Sequence, residues 1–214
     1  MSISSFLTKK FLKSLFFPAH NRGKALPKGL IRLLKKQPGF WDLPELPEIG
    51  SPLSNSGLIH DAQISISKKV NARNCFFGVN GASGLIQSGI IAMANPGEYI
   101  LMPRNVHISV IKACALQNII PIFFDIEFST ETGHYQPITK KWFTNIFNNI
   151  DFDKKKIVGV ILVSPYYQGY ATDLEPLIKI CHQHDLPVLV DEAHGSYFLF
   201  CENYNLPKSA LRSK

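Results

Sequence analysis

From about residue 61 onward, short apolar runs alternate with longer stretches in which apolar residues recur at helical spacing. Residues 75–79 (Cys-Phe-Phe-Gly-Val) read as a short strand ending in the turn Asn80-Gly81. Residues 85–94 read as a helix stopped by Asn95-Pro96-Gly97. Residues 99–102 form a predicted strand ending at Pro103, 106–117 a helix, 119–124 a strand and 138–148 a helix. Ile157–Val163 is wholly apolar and rich in β-branched residues, the pattern of a strand buried on both faces. Asp173 is placed as the cap of a helix running to about His184, and 186–190 as the next strand. Such alternation predicts βαβ units with right-handed crossovers and a mainly parallel sheet.

The first 60 residues follow a different pattern. Phe6, Leu7, Phe11, Leu12, Leu15 and Phe16 recur at helical spacing with Lys9, Lys10 and Lys13 between them. The lysines interrupt any secretory apolar core, so the favoured reading is a basic amphipathic helix packed on the body or a partner, ahead of one lying on a membrane. Pro18, Pro27 and Pro38 break this arm. Residues 41–60 continue as a Pro-rich strap (Trp41-Asp42-Leu43-Pro44-Glu45-Leu46-Pro47), where repeated prolines exclude a continuous helix. The division expected is therefore 1–60, a basic helical arm and Pro-rich strap, and 61–214, a partial α/β large domain.

Charge changes meaning once it is located. The net charge is +7, but nine of the 23 Lys and Arg lie in residues 1–41 with no acid among them, which leaves 14 bases against 16 acids beyond. The basicity belongs to the arm, and nucleic-acid binding is not expected. With 214 residues, 45% of them hydrophobic and 18% charged, the chain is long enough for one substantial core. It has no run of 18 apolar residues and no predicted membrane span. Cys75, Cys114, Cys181 and Cys201 make no Cys-x-x-Cys pair and no zinc pattern, and they read as packed, reduced thiols of a cytoplasmic protein.

Ligands of open α/β sheets bind beyond the carboxyl ends of the strands. Four segments follow the predicted strands: Asn80-Gly81-Ala82-Ser83-Gly84, Pro103-Arg104-Asn105-Val106-His107, Ser164-Pro165-Tyr166-Tyr167 and Asp191-Glu192-Ala193-His194-Gly195. All four should converge on one rim. The glycine segment suits a phosphate cradle, since backbone N–H groups can approach an anion there, although a plain strand-to-helix turn reads equally well. Asp191, ending an apolar strand, needs a cationic partner: a protonated pyridine nitrogen, an arginine or a metal. His107 could stack on a flat ring or cap a helix. Asp-Glu-Ala-His also occurs in one helicase class, but no Gly-Lys-Ser/Thr loop accompanies it here.

In order, Pro18-Ala-His-Asn-Arg-Gly23, Asp42-Leu-Pro-Glu-Leu46, Gly57-Leu-Ile-His-Asp-Ala-Gln63, Asn80-Gly-Ala-Ser-Gly84, Pro103-Arg-Asn-Val-His107 and Asp191-Glu-Ala-His-Gly195 resemble the Orn/Lys/Arg decarboxylase class-I family, the fold-type I pyridoxal-phosphate-dependent decarboxylases. The resemblance implies a fold of incomplete, mainly parallel sheet with flanking helices, part of a PLP-dependent transferase-like large domain. It implies pyridoxal 5'-phosphate as cofactor and decarboxylation of arginine, lysine or ornithine to an amine, as in polyamine biosynthesis. It also implies a homodimer or larger assembly with the cofactor site at the interface. By the same resemblance, Ser83 and the backbone of Gly81, Ala82 and Gly84 would hold the phosphate. His107 and Ala193 would take the two ring faces, Asp191 the ring nitrogen, Ser164 the ring's hydroxyl side, and His194 a place beside the imine. Family members carry a Schiff-base lysine in a Ser-x-His-Lys segment. Neither Lys208 nor Lys214 has that context, so the chain reads as truncated at its C-terminal end. The alternative function is then an inactive remnant or a partner subunit, and the strand at 186–190 is expected to leave an apolar edge.

Overall fold

The structure, a computed structural model, describes residues 26–151, 156–201 and 204–213. The apolar pattern at 6–16, the motif at 18–23 and Lys214 lie outside these residues.

Six strands are present among them: β1 (Tyr99–Pro103), β2 (Ile120–Phe124), β3 (Phe128–Ser129), β4 (His134–Tyr135), β5 (Ile157–Val163) and β6 (Val188–Asp191). Six helices accompany them: α1 (Lys28–Leu34), α2 (Leu58–Val70), α3 (Gly81–Met93), α4 (Ile108–Gln117), α5 (Lys140–Asn148) and α6 (Glu175–Gln183). Four strands form one sheet in the order β2-β1-β5-β6, and every pairing in it is parallel. The remaining two, β3 and β4, make a small antiparallel pair.

The two-residue period of the strands sorts their side chains between two helical layers. On one face, Ile100, Met102 and Ile161 pack with Ile86 and Ile90 of α3 and Val110 and Ala113 of α4. On the other, Leu101, Val160 and Leu162 pack with Phe143 and Phe147 of α5 and Leu177 and Cys181 of α6. Core burial pushes the Cys181 thiol up to about 12 and raises that of Cys114, and none of the four cysteines is in a disulfide. Entry into β1 is fixed by Glu98, whose buried carboxylate accepts from the Asn95 N–H at 2.8 Å and pairs with Lys156. The Asn95 N–H and then Lys156 hold that carboxyl below its ordinary range.

Several elements differ from the sequence reading. Residues 75–79 form no strand; Phe76 and Val79 are exposed, and the segment pairs with no described strand. Here apolar composition gives no ladder because no partner edge lies alongside. Helix α3 begins at Gly81 rather than at 85, so the glycine segment is the helix's own first turn. Helix α6 starts at Glu175 with Leu174 as its N-cap, and Asp173 makes no side-chain cap. Were Asp173 the N-cap, the third helical position would be Pro176, which has no N–H to give.

The strap stays largely exposed, including Trp41, Leu43 and Leu53, and α1 buries no residue. Its far end is fastened to the body at Gln63, which is buried, donates to the Pro52 carbonyl at 3.1 Å and accepts from the Phe77 N–H at 2.8 Å.

Phe143 is fully buried and lies between the rings of Phe124 and Phe147, at centroid distances of 5.7 and 4.8 Å. Phe143→Ala is expected to cost about 3–5 kcal/mol in urea unfolding. Leu53→Ala, at an exposed strap position, should cost under about 0.5 kcal/mol.

Candidate active site

The chain runs from β1 outward to β2, then returns to place β5 on the other side of β1. This reversal is a topological switch point, where a crevice opens beyond the strands' carboxyl ends. A cleft of about 450 Å³ lies there, and residues from all four polar segments line it: Ala82 and Ser83, Asn105 to Ile108, Pro165 and Tyr167, and Asp191, Ala193 and His194.

Its floor is set by register. Val163 pairs with Asp191, and the Ser164 N–H donates to the Asp191 carbonyl at 3.1 Å, so β5 and β6 end at the same level. Asp191 is only 9% exposed. Its Oδ1 accepts from the Ala193 N–H at 3.1 Å, while Oδ2 takes no hydrogen bond among the described residues, and no described Lys or Arg pairs with it. A carboxylate so placed is matched by a cationic N–H from the cleft side.

One wall is the N-terminus of α3. The first amides of a helix have no intrahelical acceptor and carry the positive end of its dipole. Gly81, at φ +66°, adopts a conformation that L side chains avoid. A Cβ on Gly84 would lie 2.7 Å from the Asn80 Cβ. Neither glycine lines the cleft; each shapes the turn that presents Ala82 and Ser83 to it.

His107 also borders the cleft, and of the two readings the sequence offers, the helix cap is the one seen. Its Nδ1 accepts from the Ser109 N–H at 3.2 Å and meets the Ser109 Oγ at 2.8 Å, so the residue N-caps α4. With Nδ1 accepting, the neutral ring carries its proton on Nε2, and the ring borders the cleft. His194, on the rim, meets Tyr167 edge-on at 5.8 Å between centroids.

Ser164 is placed elsewhere. It is buried, and its hydroxyl donates to the Thr172 carbonyl at 3.3 Å and accepts from the Thr172 N–H at 3.0 Å. Thr172 in turn accepts from the Ile138 N–H at 3.2 Å. This hydroxyl belongs to an internal network and does not line the cleft. Glu192, adjacent to Asp191 in sequence, also turns away: it accepts from Ser209 Oγ at 2.7 Å and from the Ala210 N–H at 2.9 Å. Burial pushes its carboxyl up despite those hydrogen bonds. Asn105 and Tyr167 also line the cleft; both lie in the polar segments after the strands, and the resemblance gives neither a role. Among the described residues no helix is long and apolar enough to cross a membrane.

Sheet order, helical layers and rim define a mixed α/β fold of the PLP-dependent transferase type. The structure of Escherichia coli constitutive lysine decarboxylase superposes on 99% of this chain and 30% of that one, with a TM-score of 0.69 and 20% identity. A family model described as Orn/Lys/Arg decarboxylase, major domain, matches residues 17–213, and the chain belongs to this family. An arginine decarboxylase of Bacillus subtilis (strain 168) is 31% identical over 196 residues, which are 92% of this chain and 39% of that protein. The lysine decarboxylase LdcA of Pseudomonas aeruginosa is 27% identical over 78% of this chain and 19% of its own length. The chain thus spans well under half the length of these relatives.

Substitutions at two residues test the structural roles of the rim. His107→Ala, which removes the α4 cap, should cost about 1 kcal/mol of unfolding stability, and His107→Asn should restore most of it. For Glu192, a carboxyl whose folded value is raised contributes most below its unfolded value, about 4.3, and that contribution is lost as pH rises through the folded value. Wild type should therefore lose stability relative to Glu192→Gln as pH rises across that window, read from urea midpoints. A difference constant with pH would show that burial of this carboxyl does not govern the tether.

Proposed function

We propose that residues 61–214 form the cofactor-binding part of a large domain that serves pyridoxal-phosphate-dependent decarboxylation of a basic amino acid: arginine, lysine or ornithine. The observation that carries this reading is the nearly buried Asp191 with one unpaired oxygen at a switch-point cleft, faced by a helix N-terminus and a pinned imidazole. That donor set fits a phosphorylated pyridine.

Pyridoxal 5'-phosphate, when bound, accepts the electron pair of the breaking Cα–carboxylate bond. The residues have separable tasks. The Ala82 and Ser83 amides and the Ser83 hydroxyl hold the phosphate at the positive end of α3, with Gly81 and Gly84 giving the backbone its close approach. His107 covers one face of the ring, and the small Ala193 leaves room on the other. Asp191 keeps a proton on the ring nitrogen by making its charged form the favoured one. His194, which also lines the cleft, would lie beside the reacting end of the cofactor. Ser164, tied to Thr172, serves by fixing the turn beside Asp191. In this reading residues 1–60 are the basic arm and Pro-rich strap that precede this unit in the sequence. The assembled enzyme is a cytoplasmic homodimer or larger, and its reaction belongs to a polypeptide of the relatives' length.

The test is equilibrium binding of pyridoxamine 5'-phosphate, whose amine does not condense with surface lysines. Wild type should bind it, and Asp191→Ala should weaken binding by about tenfold to a hundredfold, the worth of a hydrogen bond to a charged group. Affinity unchanged in Asp191→Ala would sink the assignment.

A further inference from the structure

Among the described residues only two buried side-chain polar atoms lack a hydrogen-bond partner, Asn105 Oδ1 and Ser213 Oγ, and Asn105 lies in the wall of the cleft. Neither end of its carboxamide is hydrogen-bonded to a described residue. Its N–H2, a donor with no described partner, is therefore available to an acceptor in the cleft. The same rim lacks another expected contact. Ser164, which the resemblance puts at the ring's hydroxyl side, has both hydroxyl functions taken by the Thr172 backbone and does not line the cleft.

Position favours Asn105 for that contact. β5 lies between β1 and β6 in the sheet, so the loop after β1 and the end of β6 flank the end of β5. They are two strand spacings apart, about 9.6 Å. A pyridine ring held on one side at its nitrogen and on another at its ring oxygen, by hydrogen bonds of about 2.8 Å each, spans much the same distance. Asn105 also lies two residues before His107, whose ring borders the same space.

Resting on the reading above, we propose that Asn105 is a cofactor-binding residue, its amide N–H2 donating to the ring oxygen of the phosphopyridoxyl group while Asp191 engages the ring nitrogen. No covalent step is involved. This contact would orient the ring about the axis set by Asp191 and favour the ionised form of the ring hydroxyl.

The experiment compares two probes, pyridoxamine 5'-phosphate and its 3-deoxy analogue lacking the ring oxygen, by titration calorimetry with wild type, Asn105→Leu and Asn105→Ala. The expected result is a loss of about tenfold in affinity for the first probe in both variants, with the 3-deoxy analogue bound alike by all three proteins. Circular dichroism establishes that each variant is folded, and the alanine variant serves if the leucine one is not. Equal losses for both probes, or no loss for either, overturn the assignment of Asn105 alone. A loss confined to the oxygen-bearing probe in Tyr167→Phe, and absent at Asn105, transfers the contact to Tyr167 and likewise overturns it. Wild type that binds neither probe overturns the cofactor reading itself, and this inference with it.

Discussion

The site depends on one register. β5 pairs with β6 so that Val163 stands opposite Asp191, and the Ser164 N–H closes the ladder on the Asp191 carbonyl. Sliding β6 by one residue would exchange its two faces, putting Asp191 against a helical layer and an apolar side chain into the cleft. What holds the register is β5 itself, whose Val160, Ile161 and Leu162 are fully buried in alternation against two different helical layers. The energy that fixes the floor of the cleft is therefore apolar burial beneath it, while the rim remains polar and open.

Above that floor, the rim is built from groups that serve the fold and the cleft at once. His107 caps α4 through Nδ1 and so cannot rotate freely, which leaves its ring at the cleft in one orientation. The Ala193 N–H that supports Asp191 comes from the turn following it. A Cβ on Gly195 would come within 2.5 Å of the Pro165 ring, so the two turns after β5 and β6 pack at contact distance. Helix caps and tight turns thus supply preorganisation without a separate scaffold.

Much of this was legible in the sequence, for identifiable reasons. Ile157–Val163 was readable to its ends because a strand buried on both sides excludes polar residues throughout and stops where they resume. Convergence of the segments after β1, β5 and β6 followed from the parallel topology, whereas the glycine segment reaches the same rim with no strand before it. The glycine segment reads as a turn ahead of a helix at 85, whereas Gly81 and Gly84 both fall in the first turn of α3, where a positive φ and a close approach to Asn80 are tolerated. Residues 75–79 failed as a strand because composition does not report whether an edge is available. Ser164 could not be oriented from sequence, since its partner Thr172 sits eight residues away in an irregular loop.

Asp191 and Glu192 show most clearly how position, not residue type, sets the task of an acid. They are neighbours at the end of one strand, and consecutive side chains there point to opposite sides. Asp191 faces the cleft with one oxygen unpaired. Glu192 faces back, and both of its oxygens are taken by Ser209 and Ala210, 17 and 18 residues further along the chain. Burial raises the Glu192 carboxyl even so, which means its hydrogen bonds compensate desolvation only in part. A group in that condition suits holding a segment in place, because neither of its oxygens is available to a ligand. The four-residue string thus divides between anchoring and the cleft, and only the register of β6 decides which acid does which.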